Sequence, residues 1–233
     1  MSCMILLFKT HASIGKSILR IEDVKRIADE NQLDEVYFVE DTMVGFPEAF
    51  RTFKEKLRFG YRFSIFNDDK SKESESKIIA FADGDQGYKD LCSLYTRSFG
   101  EKLNAPWYDY ENLKFAVPFY DSFLHSNLVG FSNCMPNLPK ELIFFVERNG
   151  LPFDTILEEK VADYIINSSH FTKDLNTQLV KSIYYENKED VEAFQTYKCI
   201  CNRQPGRQAS LSNPRLNHFG SDRFCVEAWK EEK

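Results

Sequence analysis

Glu40 and Asp41 stand side by side at the end of the apolar run Val36-Tyr37-Phe38-Val39. Two carboxylates at a strand end are oxygen donors of the kind that hold a hard divalent cation and its water. His11 lies just after another apolar run, Ile5-Leu6-Leu7-Phe8, where an imidazole can work as a general base. A lone histidine with no orienting partner is more commonly structural, however. Lys9 stands between that run and His11; an ammonium there repels a metal ion and pairs with a carboxylate. Asp121 and His125 are four residues apart, the ligand spacing of one helix face. With no third donor near them in sequence, they are expected to face solvent. His170 and His218 fall in expected loops and take no role.

These residues need elements that bring them together. Strand-like runs at 4–8, 36–40, 61–66, 78–82, 113–117, 142–146 and 179–184 alternate with stretches of helical period, the signature of β-α units around a mainly parallel sheet. Ile21, Val24, Ile27 and Ala28 share one helix face after the acidic start Glu22-Asp23, and Phe46, Phe50, Phe53 and Leu57 share another after Pro47. Leu91, Cys92, Tyr95 and Phe99 mark a third helix. Ile156, Leu157, Val161, Tyr164 and Ile165 mark a fourth that starts near Asp154, and Asp190, Val191, Phe194 and Tyr197 a fifth. The charged, serine-rich stretch from Asn67 to Ser76 reads as a solvated hairpin loop. The tail with Pro205-Gly206 and Ser212-Asn213-Pro214, up to the patch from Phe224 to Trp229, reads as irregular. There is no internal repeat.

Composition narrows the function. A chain of 233 residues with 42% apolar residues and 15% aromatics is long enough to bury a sizeable core. A formal net charge of −6 disfavours bulk electrostatic grip on a nucleic-acid backbone, which needs a basic face and releases counterions. Arg203, Arg207 and Arg215 are too dispersed to make such a face, so any DNA contact is expected to be weak or indirect. The six cysteines are scattered. Cys199 and Cys201 lack the two-residue gap of common zinc hairpins and read as thiols at a helix end, one buried and one exposed. No apolar run approaches the ~20 residues of a membrane span, and no signal pattern opens the chain. A cytoplasmic protein with reduced thiols is the expectation.

Three longer stretches carry a family resemblance. Glu141-Leu142-Ile143-Phe144-Phe145-Val146-Glu147-Arg148-Asn149-Gly150-Leu151-Pro152 is similar to the segment YLELQRNGLP of the PHP (polymerase and histidinol phosphatase) domain. That domain opens the α subunit of bacterial C-family replicative DNA polymerases. Tyr185-Glu186-Asn187-Lys188-Glu189-Asp190-Val191-Glu192-Ala193, followed by Cys199-Ile200, is similar to the same family's YLNREDAEAHDALLCI. Ala82-Asp83-Gly84-Asp85-Gln86-Gly87-Tyr88-Lys89-Asp90-Leu91 resembles AKNETGYKNL. Their order and spacing extend over residues 4–202. The resemblance implies an α/β fold, a PHP-type distorted (β/α)7 TIM-like barrel forming a single domain over 1–202, with 203–233 an irregular tail packing on or extending from it.

The family's metal ligands do not carry over. Its first motif, a His-x-His ending a strand, falls on Leu7 and Lys9. The second, Thr-Asp-His, falls on Val39, Glu40 and Asp41. A glutamate of the third strand falls on Arg62, the histidine before the LLAKN strand on Lys77, and the closing Asp-x-His on Ser182 and Tyr184. The middle-strand ligand lies near Phe119-Tyr120. Only Glu40 and Asp41 keep donor character, while Lys9, Arg62 and Lys77 are cations expected to pair with them in a metal-free pocket. The resemblance thus implies a catalytically silent domain that serves DNA replication, a scaffold or partner-binding module for replication proteins and a polymerase chain supplied separately. No cofactor is expected. The alternative is a metal-dependent phosphoesterase or 3′-to-5′ exonuclease that uses His11, Glu40 and Asp41 with manganese, zinc or iron. The polymerase's own catalytic aspartates have no counterpart in this stretch.

Overall fold

The structure is a computed structural model, which describes residues 4–66, 75–100, 108–131, 134–139, 141–167, 176–201 and 221–232. Seven strands are hydrogen-bonded in chain order into a closed barrel: β1 (Ile5–Phe8), β2 (Val36–Glu40), β3 (Leu57–Phe66), β4 (Glu75–Ala82), β5 (Leu113–Val117), β6 (Ile143–Val146) and β7 (Thr177–Ile183). Among the described residues the α-helices are α1 (Ile21–Glu30), α2 (Phe46–Phe53), α3 (Gly84–Gly100), α4 (Phe123–Val129), α5 (Asp154–Asn167), α6 (Val191–Cys201) and α7 (Val226–Glu231). The fold is mixed α/β, and every strand expected from sequence is present. Among the described residues, no helix is long and apolar enough to cross a membrane. Asn67 to Ser74, the tail from Asn202 to Gly220, His170 and His218 lie outside the described residues; Glu75 and Ser76, expected in the loop, belong to β4.

The chain divides into two compact units. One is built from Ile5–Arg58 and Lys181–Lys233. Here β1 and β2 pair in parallel, with Leu7 opposite Tyr37 and Phe8 opposite Phe38. The α1 crossover buries Ile21, Val24, Ile27 and Ala28, the stripe read from the sequence. Pro47 at the start of α2 is compatible with an N-terminal turn whose N–H groups have no helical partner. Lys54, at φ 50°, ends that helix. Phe8, Phe38 and Phe53 make a continuous ring cluster, with centroids 6.5 and 5.4 Å apart.

The tail departs from the irregular segment expected. Tyr184 N donates to the Phe224 carbonyl, Val226 N to Tyr185 and Glu227 N to Glu186, so Phe224 to Glu227 run alongside the end of β7. Cys225 then caps α7, its sulfur accepting from Ala228 N. Phe224, Cys225, Val226, Ala228 and Trp229 are all buried. Lys181 of β7, itself buried, donates to Glu232 at 2.7 Å.

The other unit is built mainly from Phe59–Val180. Its sheet mixes directions: β3 with β4 and β4 with β5 are antiparallel, whereas β5 with β6 and β6 with β7 are parallel. A long β3–β4 ribbon, from Gly60 opposite Phe81 to Phe66 opposite Glu75, thus replaces one crossover of the mainly parallel sheet expected. Antiparallel neighbours need no crossover helix, unlike parallel strands. Helix α5 follows Gly150, whose φ of 71° suits a residue without a Cβ.

Candidate functional site

In the first unit, β1 and β2 end together and deliver the residues that follow them. The Lys9 ammonium lies 2.7 Å from Asp41 Oδ1, with the lysine side chain 3% exposed and the aspartate 29%. Glu40 is fully buried. Its Oε1 accepts from the Thr10 backbone N–H at 2.9 Å and from the Thr10 hydroxyl at 2.6 Å, and its Oε2 accepts from the Ser13 hydroxyl. The Ser13 oxygen in turn accepts from Asp41 N at 2.7 Å. Thr10 and Ser13 therefore clamp the loop after β1 onto the end of β2. Burial pushes the Glu40 carboxyl up to about 7, against the opposing pull of Lys9 and its hydroxyl donors.

These residues do not fit a divalent metal. Both Glu40 oxygens already accept hydrogen bonds and one Asp41 oxygen holds an ammonium, so an ion would have to displace a buried lysine to gain two carboxylates. No group of three or more His, Cys, Asp or Glu placed to hold a metal occurs among the described residues. Leu7 is core. Tyr184 stacks parallel on Phe194 at 5.8 Å and lies 5.7 Å from Phe224, while Ser182 is nearly buried. Ser182 and Tyr184 thus belong to the core rather than to a metal-binding cluster.

His11 points elsewhere. With Ser17, Ile18, Arg20, Glu22, Glu48 and Tyr197 it lines an open cleft of about 340 Å³, and neither Glu40 nor Asp41 lines that cleft. The three catalytic candidates are therefore not gathered around one cavity.

In the second unit, the expected pairing of Arg62 and Lys77 with Glu40 and Asp41 is corrected: both engage acids of their own unit. Arg62 forms an ion pair with Asp121. Asp121 has φ 63°, a left-handed conformation that aspartate tolerates better than most residues, and its carbonyl accepts from Lys77 N at 3.2 Å. The Lys77 ammonium donates to Ser64 and, at 2.8 Å, to Glu75, and strand register places Lys77 opposite Ser64. His125 is also corrected. It packs edge-on against Tyr120 and Phe153, at 6.1 and 5.6 Å, rather than facing solvent, and burial lowers its pKa against the opposing effect of Asp121.

One buried network was not singled out from the sequence. Tyr120 donates to Asp154 Oδ1 at 2.8 Å, and Asn149 Nδ2 donates to the Tyr120 hydroxyl and to Glu147. Asp154 Oδ2 accepts from the backbone N–H groups of Asn149 and Leu151 at 2.9 and 3.0 Å. Burial, with Glu147 and Asp154 close by, holds the Tyr120 phenol protonated. The signal was the polar Glu147-Arg148-Asn149 directly after an apolar strand, within the stretch that carried the family resemblance. The cysteines at the end of α6 are free thiols, Cys199 half-buried and Cys201 exposed.

No protein-family model matches the chain, and a search of curated proteins gives no match. A functional reading therefore rests on the residues themselves.

Proposed function

We propose that this protein is a metal-free PHP-like domain that serves a DNA replication apparatus, as a scaffold or partner-binding module for a polymerase carried on another chain. The resemblance of its Glu141–Pro152 and Tyr185–Ile200 stretches to that family supports this reading. The observation that carries the loss of chemistry is the Lys9–Asp41 ion pair at 2.7 Å, which lies at two of the family's ligand positions. Beside it, Glu40 gives its oxygens to Thr10 and Ser13. A buried cation and a committed carboxylate leave no open, water-bearing coordination position, the feature that a metal-dependent phosphoesterase needs.

The test combines three measurements on the full chain. Size-exclusion chromatography with a purified C-family polymerase α subunit should show a complex. Elemental analysis should find no stoichiometric manganese, zinc or iron, and a primer-template should survive incubation with the protein. Absence of a complex overturns the scaffold role. About one tightly bound metal per chain, with nuclease activity abolished by Asp41→Ala, overturns the loss of chemistry.

A further inference from the structure

The cleft beside His11 is built by four segments of one unit. The loop after β1 gives His11, Ser17, Ile18 and Arg20; the first turns of α1 and α2 give Glu22 and Glu48; α6 gives Tyr197. Its floor is held in place, since the buried Ser17 hydroxyl donates to the Tyr184 carbonyl at 2.7 Å and accepts from Leu19 N at 3.1 Å. Its volume of about 340 Å³ lies at the small end of ligand clefts, suited to a metabolite rather than a polymer.

The charges on its wall are one guanidinium and two carboxylates. None of Arg20, Glu22 and Glu48 has an ion-pair partner among the described residues. First-turn acids ordinarily face their own helix dipole, which accounts for Glu22 and Glu48 singly but not for Arg20 and Tyr197 sharing their cleft. His11, Glu22 and Glu48 do not form a metal-holding group, and two carboxylates against one guanidinium repel a phosphate-rich ligand. The complement of this wall is a molecule with two cationic nitrogens, one carboxylate and an aliphatic stem.

We propose that this cleft binds a small basic zwitterion of the free lysine or arginine class. The ligand carboxylate takes the forked donors of Arg20, its cationic groups take Glu22 and Glu48, and its stem lies against Ile18 and the Tyr197 ring. This site is separate from the Lys9–Asp41 positions and does not depend on the replication role.

Isothermal titration of the full chain with L-arginine and L-lysine tests it. At least one should bind saturably with a Kd at or below about 1 mM. Agmatine, which lacks the carboxylate, and norleucine, which lacks the side-chain cation, should each bind about tenfold more weakly or worse. Arg20→Gln and Glu48→Gln should each weaken binding to a similar degree with no change in Tm, since both side chains are exposed. Absence of saturable heat with both amino acids overturns the proposal, and so does binding that persists unchanged in both variants.

Discussion

Two lysines, Lys9 and Lys77, sit in contrasting surroundings. Lys9 is buried to 3% exposure against Asp41, and the fully buried Glu40 adjoins that aspartate in the chain. Lys77 lies on the β3–β4 ribbon with its side chain 34% exposed, and it pairs with Glu75 of its own strand. The first pair exists only because two parallel strands end together. The second would form in almost any antiparallel ribbon. An ammonium thus makes an interior ion pair where two strand ends bring it against a carboxylate, and an ordinary surface pair where it lies on an exposed strand face.

That contrast predicts a graded set of effects on urea unfolding. Lys9→Met leaves Asp41 without its ammonium and Glu40 without a neighbouring cation; a loss of about 3 kcal/mol is expected, as for broken interior pairs. Adding Asp41→Asn should recover at least half of it. Glu40→Gln should raise stability at pH 8 by about 2 kcal/mol, because the burial that lifts its carboxyl to about 7 makes the ionised form costly. The sign follows from protons: between the ordinary carboxyl pKa and about 7 the folded chain keeps a proton that the unfolded chain has released. Glu40's contribution is therefore fully present below that window and falls as pH rises through it. The substitution should flatten the slope there, and a steeper slope in the variant would refute the assignment.

Arg62→Met should cost about 1 kcal/mol, since Arg62 is mostly buried while Asp121 is a third exposed. Lys77→Ala should cost less than about 0.5 kcal/mol. If Lys77→Ala proves as damaging as Lys9→Met, the distinction between interior and surface pairs is wrong.

The strands were readable because buried runs such as Ile5–Phe8 and Ile143–Val146 are short, apolar and end at polar residues. Helix α4 was not, since Ser122 caps only two turns and Asp121 and His125 there looked like a solvent face. Helix α7 was hidden for a similar reason: its six residues draw their order from packing against the end of β7, which no local period reports. Within the site, the Lys9–Asp41 pair was legible because both residues end adjacent strands. The partner of Arg62 was not, because it depends on the left-handed turn at Asp121, and that of Lys77 was not, because Glu75 read as loop rather than as the start of β4. The Tyr120–Asn149–Asp154 network joins two loop residues to the first residue of α5 through hydrogen bonds that spacing alone does not reveal.

The discontinuous unit also has a consequence for synthesis. Phe59–Val180 is one continuous stretch, whereas its companion needs Ile5–Arg58 and Lys181 onward together. At ~5–20 residues per second, the ribosome spends on the order of ten seconds making the intervening stretch. Throughout that interval Phe8 and Phe38 are already synthesised and Lys181 onward is not. A nascent chain in that state exposes apolar strand surface that the finished unit buries.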